Sequence, residues 1–189
     1  EDKTYWERRS SSIYLQAMRL IVTSVGENAH SLIDVGSANC PYLDWFYWIP
    51  KRTSIDLDQP YSGKDIGSFV GDFNKWKPDQ EYDVATCLQV LEHVSNATAF
   101  AQKLLAISKI VVVSVPYKWR AGRTPSHVHD PVDREKMKHW FGRDPNYSYM
   151  CQEVTTDSRR LIQVYERHNL TWSSLRHRAR ILEVPYTKR

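Results

Sequence analysis

The sequence predicts an α/β fold in which short apolar strands alternate with helices and pair into an open, mostly parallel sheet. Two observations carry this expectation. Apolar runs of strand length recur at residues 32–35, 53–57, 82–87 and 110–115. Stretches with helical spacing of apolar residues lie before, between and after them. Strands arranged in this way end in a crevice where ligands bind.

The elements follow in order. Ser10-Ser11-Ser12 offers a cap to a helix over 13–25, where Ile13, Ala17, Leu20, Ile21 and Val25 fall near one face. Gly26 and Asn28 suit its end. Residues 32–35 form a short buried strand, and Pro41 sits at the first turn of a following helix, where a missing N–H costs nothing. Strands at 53–57 and 82–87 come next. A helix over 92–107 carries Val94, Phe100, Leu104, Leu105 and Ile107. The strand at 110–115 leads to a helix over 134–141 closed by Gly142. Residues 147–154 and 160–165 read as two antiparallel strands, although Leu161, Val164, Tyr165 and His168 also fit a helix.

A chain of 189 residues suits one domain. Residues 1–28 are expected to form a helical cap, 30–167 the core and 168–189 a basic tail. Hydrophobic residues make up 41% and charged residues 25%, the balance of a soluble globular protein, and no apolar run is long enough to span a bilayer. Residues 1–9 are charged and lack the apolar run of a secretory signal, so the expected location is cytoplasmic. Cys40, Cys87 and Cys151 are too few and too scattered for a disulfide framework or a cysteine zinc site. The net charge of +4 owes much to Arg176, Arg178, Arg180, Lys188 and Arg189. Such a tail reads as a solvated face or as a surface that meets phosphates, which keeps RNA among the possible partners.

The first strand runs into Asp34-Val35-Gly36-Ser37-Ala38-Asn39. A glycine directly after a strand lets the backbone turn tightly beside a ligand. A dinucleotide site would want Gly-x-Gly-x-x-Gly. Only Gly36 is present, which counts against NAD and FAD. S-adenosylmethionine has no phosphate and asks for a polar loop and a nearby carboxylate, a role open to Asp34. Asp56, about 20 residues past Gly36, is placed to accept from ribose hydroxyls, with Leu57 beside it and Asp58 as the fallback. Asp72 and Phe73, after Gly71, suit an adenine amino group and ring. Leu88 and Gln89 close the strand before Val90-Leu91-Glu92-His93-Val94.

Together these stretches resemble the class I S-adenosylmethionine-dependent methyltransferases over residues 30–145. Asp34–Ala38 is similar to their first motif, usually Asp/Glu-x-Gly-x-Gly. Ile55-Asp56-Leu57-Asp58 is similar to the ribose motif and Gly71-Asp72-Phe73 to the adenine motif. Gln89–Val94 resembles the Glu-Val-Leu-Glu-His-Val run of ubiquinone-type and sugar O-methyltransferases, and Ser114-Val115-Pro116-Tyr117 resembles their Ser-Val-Pro-Asn run. The resemblance implies a Rossmann-like three-layer sandwich, with seven strands in a mostly parallel sheet ending in an antiparallel hairpin. It also implies bound S-adenosylmethionine and transfer of its methyl group. Ala38 and Cys40 stand where the family has glycines, which predicts a bulkier loop, and Gln89 replaces the usual glutamate.

A hydroxyl acceptor needs its proton removed, by a side chain or a metal. His93, His127 and His129 are the candidate bases. Relatives in which Glu-x-x-Glu-His pairs with a later histidine include metal-dependent small-RNA 2′-O-methyltransferases. By that resemblance Glu92 and His93 with His129 or His127 form a candidate divalent-metal set, weakened by Gln89, which removes one anionic ligand. Tyr117, Trp119 and Arg120 follow the strand at 110–115, where aromatics can stack on an acceptor, and Tyr5-Trp6 is a candidate lid over the cofactor. The expected acceptor is a hydroxyl of a small molecule or of a sugar or glycan. RNA methylation and a non-catalytic cofactor-binding scaffold are the alternatives.

Overall fold

The structure is a computed structural model that describes residues 3–154 and 156–167. The basic tail at 168–189 lies outside the described residues, as does the side chain of Tyr5. Among the described residues, four α-helices and seven strands follow in the order α1 (Lys3–Ser10), α2 (Ile13–Val25), β1 (Ser31–Val35), β2 (Lys51–Asp56), β3 (Ile66–Val70), β4 (Tyr82–Leu88), α3 (Ala97–Ile107), β5 (Ser108–Pro116), α4 (Arg134–Phe141), β6 (Tyr147–Gln152) and β7 (Arg159–Glu166). Short 3-10 turns cover Pro41–Phe46 and Leu91–His93.

The strands form one sheet in the order β3-β2-β1-β4-β5-β7-β6. The first five are parallel, while β7 runs antiparallel to both β5 and β6. This is the Rossmann-like architecture with a C-terminal antiparallel hairpin that the sequence implied. Because β1 is buried along its whole length and β4 nearly so, both faces of the central sheet need cover. On one face, Phe100, Leu104 and Ile107 of α3 and Met137, Trp140 and Phe141 of α4 pack on Ile33, Val111 and Val113. On the other, Leu15, Met18 and Val22 of α2 and Tyr42, Leu43 and Phe46 pack on Leu32, Val84 and Val112. The hairpin is locked to the first face by Phe141, stacked on Tyr165 with ring centroids 4.0 Å apart.

Caps set the helix ends. Ser12 Oγ accepts from Leu15 N at 3.2 Å and starts α2, as expected. The helix expected over 92–107 is divided. Val94 is extended, and Asn96 Oδ1 accepts from Ala99 N at 3.0 Å, so α3 begins at Ala97. The division leaves Glu92 and His93 on their own turn beyond the carboxyl end of β4. Strand β3 has no counterpart among the runs read from sequence. It is an edge strand largely exposed on both sides, and Gly67 and Ser68 divide its apolar residues Ile66, Phe69 and Val70, so it shows no continuous apolar run. Cys40, Cys87 and Cys151 are free thiols. Among the described residues, no helix is long and apolar enough to cross a membrane.

Candidate active site

A cleft of about 500 Å³ opens beyond the carboxyl ends of β1, β2 and β4. Its walls include Gly36, Ala38, Asp56, Leu57, Asp72, Phe73, Gln89, Val90, His93 and Phe100. Gly36 makes the first turn. Its N–H donates to Ile55 O at 2.8 Å, its φ is +80°, and a β-carbon there would lie 2.4 Å from Val90 Cγ2. Only glycine fits both the torsion and the space. Ala38 and Asn39 also take positive φ, at 46° and 56°, where a glycine would be unstrained.

Asp56 organises the loops around the cleft. One carboxylate oxygen accepts from Ala38 N at 3.0 Å, the other from Asp58 N and Gln59 N at 3.0 and 3.1 Å. A carboxylate has about four lone-pair sites, so acceptor capacity remains for a ligand. Asp72 turns the next loop by accepting from Asn74 N at 2.9 Å. From α3, Lys103 Nζ donates to the carbonyls of Phe73, Asn74 and Trp76 and holds this loop shut against the helix.

At the other end of the cleft stands a histidine pair. The rings of His93 and His127 meet edge to face at 4.7 Å. His93 Nδ1 lies 3.1 Å from Ser126 O, so that nitrogen must carry the proton and Nε2 keeps its lone pair. Burial holds His93 below the ordinary imidazole value, against the pull of the Ser126 carbonyl. His127 Nδ1 lies 2.7 Å from Asp130 Oδ2, and both side chains are buried. Val128 N donates to Glu92 O at 2.9 Å, which ties the histidine loop to the Leu91–His93 turn. The Glu92 carboxyl is buried, and desolvation raises it to about 8, so it keeps its proton at neutral pH. One donor atom each from Glu92, His93 and His127 lie within 4.8 Å of one another, close enough to share a cation. Binding there would have to displace the Glu92 proton.

A family model described as a methyltransferase domain matches residues 5–178. The chain belongs to this methyltransferase family. Solved structures agree in fold. The N-methyltransferase NodS from Bradyrhizobium japonicum WM9, in complex with S-adenosyl-L-homocysteine, is 12% identical with a TM-score of 0.67, over 84% of this chain and 90% of NodS. The Burkholderia thailandensis 1,6-didemethyltoxoflavin-N1-methyltransferase, with its acceptor and S-adenosylhomocysteine bound, is 12% identical with a TM-score of 0.64, over 88% and 85%. The methyltransferase domain of bacterial CtHen1-CN is 18% identical with a TM-score of 0.57, over 81% and 97%. No curated protein matches the chain.

In this methyltransferase domain, seven of the ten expected cofactor residues line the cleft: Gly36, Ala38, Asp56, Leu57, Asp72, Phe73 and Gln89. The other three sit elsewhere. Asp34 is fully buried and faces Tyr42 and Thr86, whose hydroxyls both donate to its Oδ1. Ser37 Oγ bonds Ser54 Oγ and Tyr61 N at 2.8 and 3.0 Å, inside the second loop. Leu88 packs on the α2 face of the sheet. His129 does not join Glu92 and His93. Its Nε2 lies 2.7 Å from Val94 O and its ring packs on Trp140 at 5.1 Å, so His127 is the third member of the cluster. Trp6 is not a wall of the cleft but packs on Trp45 at 5.4 Å. Val90, Val94 and Phe100, not singled out from sequence for this site, supply apolar wall. Their spacing after Gln89 fitted a core helix equally well.

Proposed function

We propose that this domain binds S-adenosylmethionine in the cleft and transfers its methyl group to a hydroxyl of a small molecule, a sugar or glycan hydroxyl foremost. The residues present suit that cofactor. The volume lies in the range of small-molecule sites. Asp56 retains lone pairs at the end of β2 where ribose hydroxyls need acceptors, and Phe73, Val90 and Phe100 give apolar surface for a purine. When bound, S-adenosylmethionine supplies an electrophilic methyl group on a positive sulfonium.

The observation that carries the hydroxyl reading is His93. It lines the cleft, and its Nδ1–H is committed to Ser126 O. That leaves Nε2 to take the acceptor's proton as oxygen bonds to the methyl carbon and the carbon–sulfur bond breaks. His127, fixed by Asp130, buttresses the His93 ring. An amine acceptor that arrives neutral needs no such base.

The test is a panel of monosaccharides, hydroxylated metabolites and matched amines, assayed with methyl-labelled cofactor. Hydroxyl methylation is expected, with His93→Gln lowering kcat by about 10²-fold or more and leaving S-adenosylhomocysteine binding within a few-fold. Methylation of amines alone, or a full rate in His93→Gln, would overturn the reading. Activity is expected to survive EDTA. Its loss, with rescue by a divalent ion, would move proton removal to a cation at Glu92, His93 and His127.

A further inference from the structure

Beyond the histidine pair, the loop after β5 and the start of β7 form a basic and aromatic surface. They are held side by side, with Tyr117 N donating to Arg159 O at 2.9 Å and Pro116 in register with Arg160. The two segments bring together Lys118, Arg120, Arg123, Arg159 and Arg160. Among the described residues the one ion pair of this group is Arg160 with Glu153, at 3.8 Å. Glu153 is already committed, since its two oxygens accept from Ile13 N and Tyr14 N at 3.1 Å and cap α2.

The arginines are stacked rather than splayed. Arg123 lies 4.3 Å over the Trp119 ring, and Arg160 lies 4.9 Å over Tyr14 and 5.7 Å from Trp119. Stacking fixes a guanidinium plane while leaving its N–H edge free to bind a planar or tetrahedral anion. Two buried donors in this cluster, Arg160 Nε and Trp119 Nε1, have no acceptor among the described residues. Burying a donor without a partner costs free energy, and an incoming anion would remove that cost. On the histidine side, the buried Asp130 Oδ1 is an acceptor likewise without a partner among the described residues. The unpaired donors thus lie at one end and an unpaired acceptor lies beside the histidine pair.

The two ends are close. Trp119 stacks on His127 at 5.8 Å with an interplanar angle of 20°, and His127 meets His93 at 4.7 Å. We infer that the methyl acceptor carries an anionic group, a phosphate or a carboxylate, held by Arg160, Trp119 and Arg123 two ring-widths from His93. The inference rests on the methyl-transfer reading of the cleft and narrows its substrate class to small hydroxylated anions. Arg123 is exposed and secured by one 3.2 Å bond to Ser158 Oγ, so it is the part that moves to admit the ligand.

The test is nuclear magnetic resonance of the indole N–H of Trp119, assigned with Trp119→Phe, during titration with inorganic phosphate and separately with malonate at constant ionic strength in chloride. A saturable downfield shift is expected with at least one of them, half complete near ~1 mM, the affinity of a fragment-sized ligand. The tighter of the two names the anionic group. Arg160→Gln and Arg123→Gln should each weaken the response about tenfold, and Arg160→Lys should fall between, because it keeps charge but loses the fork. If Arg160→Gln fails to fold, exposed Arg123→Gln decides. No shift, a linear drift matched by chloride, or an unchanged response in the folded variants would overturn the inference. The titration reads binding and not methyl transfer. It can therefore fail while hydroxyl methylation stands, and a positive result survives failure of the His93 assignment.

Discussion

At the scale of single residues, Asp34 shows how a motif position can be tied into the fold. It lies near the end of β1 inside the sheet, accepts from Tyr42 and Thr86, and leaves Oδ2 buried without a partner among the described residues. Desolvation pushes its carboxyl up to about 7 from an ordinary 3.8, against the pull of the two hydroxyls. The folded state therefore holds this proton more tightly than the unfolded chain does. Its contribution to stability is fully present below about pH 4 and is lost as pH rises through about 7, at no more than about 1.4 kcal/mol per pH unit. Urea unfolding at pH 5 and pH 8 checks this. Wild type should lose stability over that interval relative to Asp34→Asn, and parallel behaviour of the two proteins would contradict it. In sequence, Asp34 read as a carboxylate for the cofactor because it stands next to Gly36. What sequence does not reveal is which face of β1 it occupies, or that Tyr42 waits there. His127 and His129 pose the same problem, since two residues along a loop decide which ring meets His93 and which packs on Trp140.

At the scale of elements, the loop between β3 and β4 depends on a side chain from another element. Lys103 of α3 donates to three carbonyls, those of Phe73, Asn74 and Trp76, and lies 4.9 Å from the Phe73 ring centre. Burial lowers the pKa of its ammonium, and the three carbonyls supply the acceptors that water would otherwise provide. Lys103→Met keeps most of the aliphatic stem but frees those carbonyls. Amide exchange from Phe73 to Trp76 should accelerate and S-adenosylhomocysteine affinity should fall several-fold, with a stability loss of about 1–3 kcal/mol. Unchanged exchange in that loop would contradict the role. The strongly apolar elements were legible in sequence, as the Ser12 cap of α2 and the strands β1, β4 and β5 show. Strand β3 was not, because Gly67 and Ser68 interrupt its apolar residues and an exposed edge strand needs no buried apolar run. The break between His93 and Ala97 was hidden because Val94, Ala97, Ala101 and Leu104 keep helical spacing across it, and only the Asn96 cap marks the true start.

At the scale of the whole molecule, the parallel half of the sheet builds the cleft, and the antiparallel half contributes to the basic and aromatic surface beside it. Strands β1, β2 and β4 deliver Gly36, Asp56 and Gln89 to the cleft, while the loop after β5 and the start of β7 bring Trp119 and Arg160 together beyond the histidine pair. The two halves are joined through Gln89 Nε2, which donates to Ser114 Oγ at 3.2 Å, and through Ser114 Oγ, 2.6 Å from Tyr14 OH on α2. The cofactor half was readable because Gly36, Asp56, Asp72 and Gln89 recur in order along the chain. The basic and aromatic surface was not, because Tyr14, Trp119 and Arg160 meet only after folding. The central claim is that the cleft beneath Gly36 and Asp56 takes S-adenosylmethionine. Calorimetric titration with S-adenosylhomocysteine tests it most directly. One-to-one binding is predicted, weakened about tenfold or more in Asp56→Ala through loss of charge-assisted hydrogen bonds. No binding to the wild-type protein, or equal affinity in the folded variant, would contradict it.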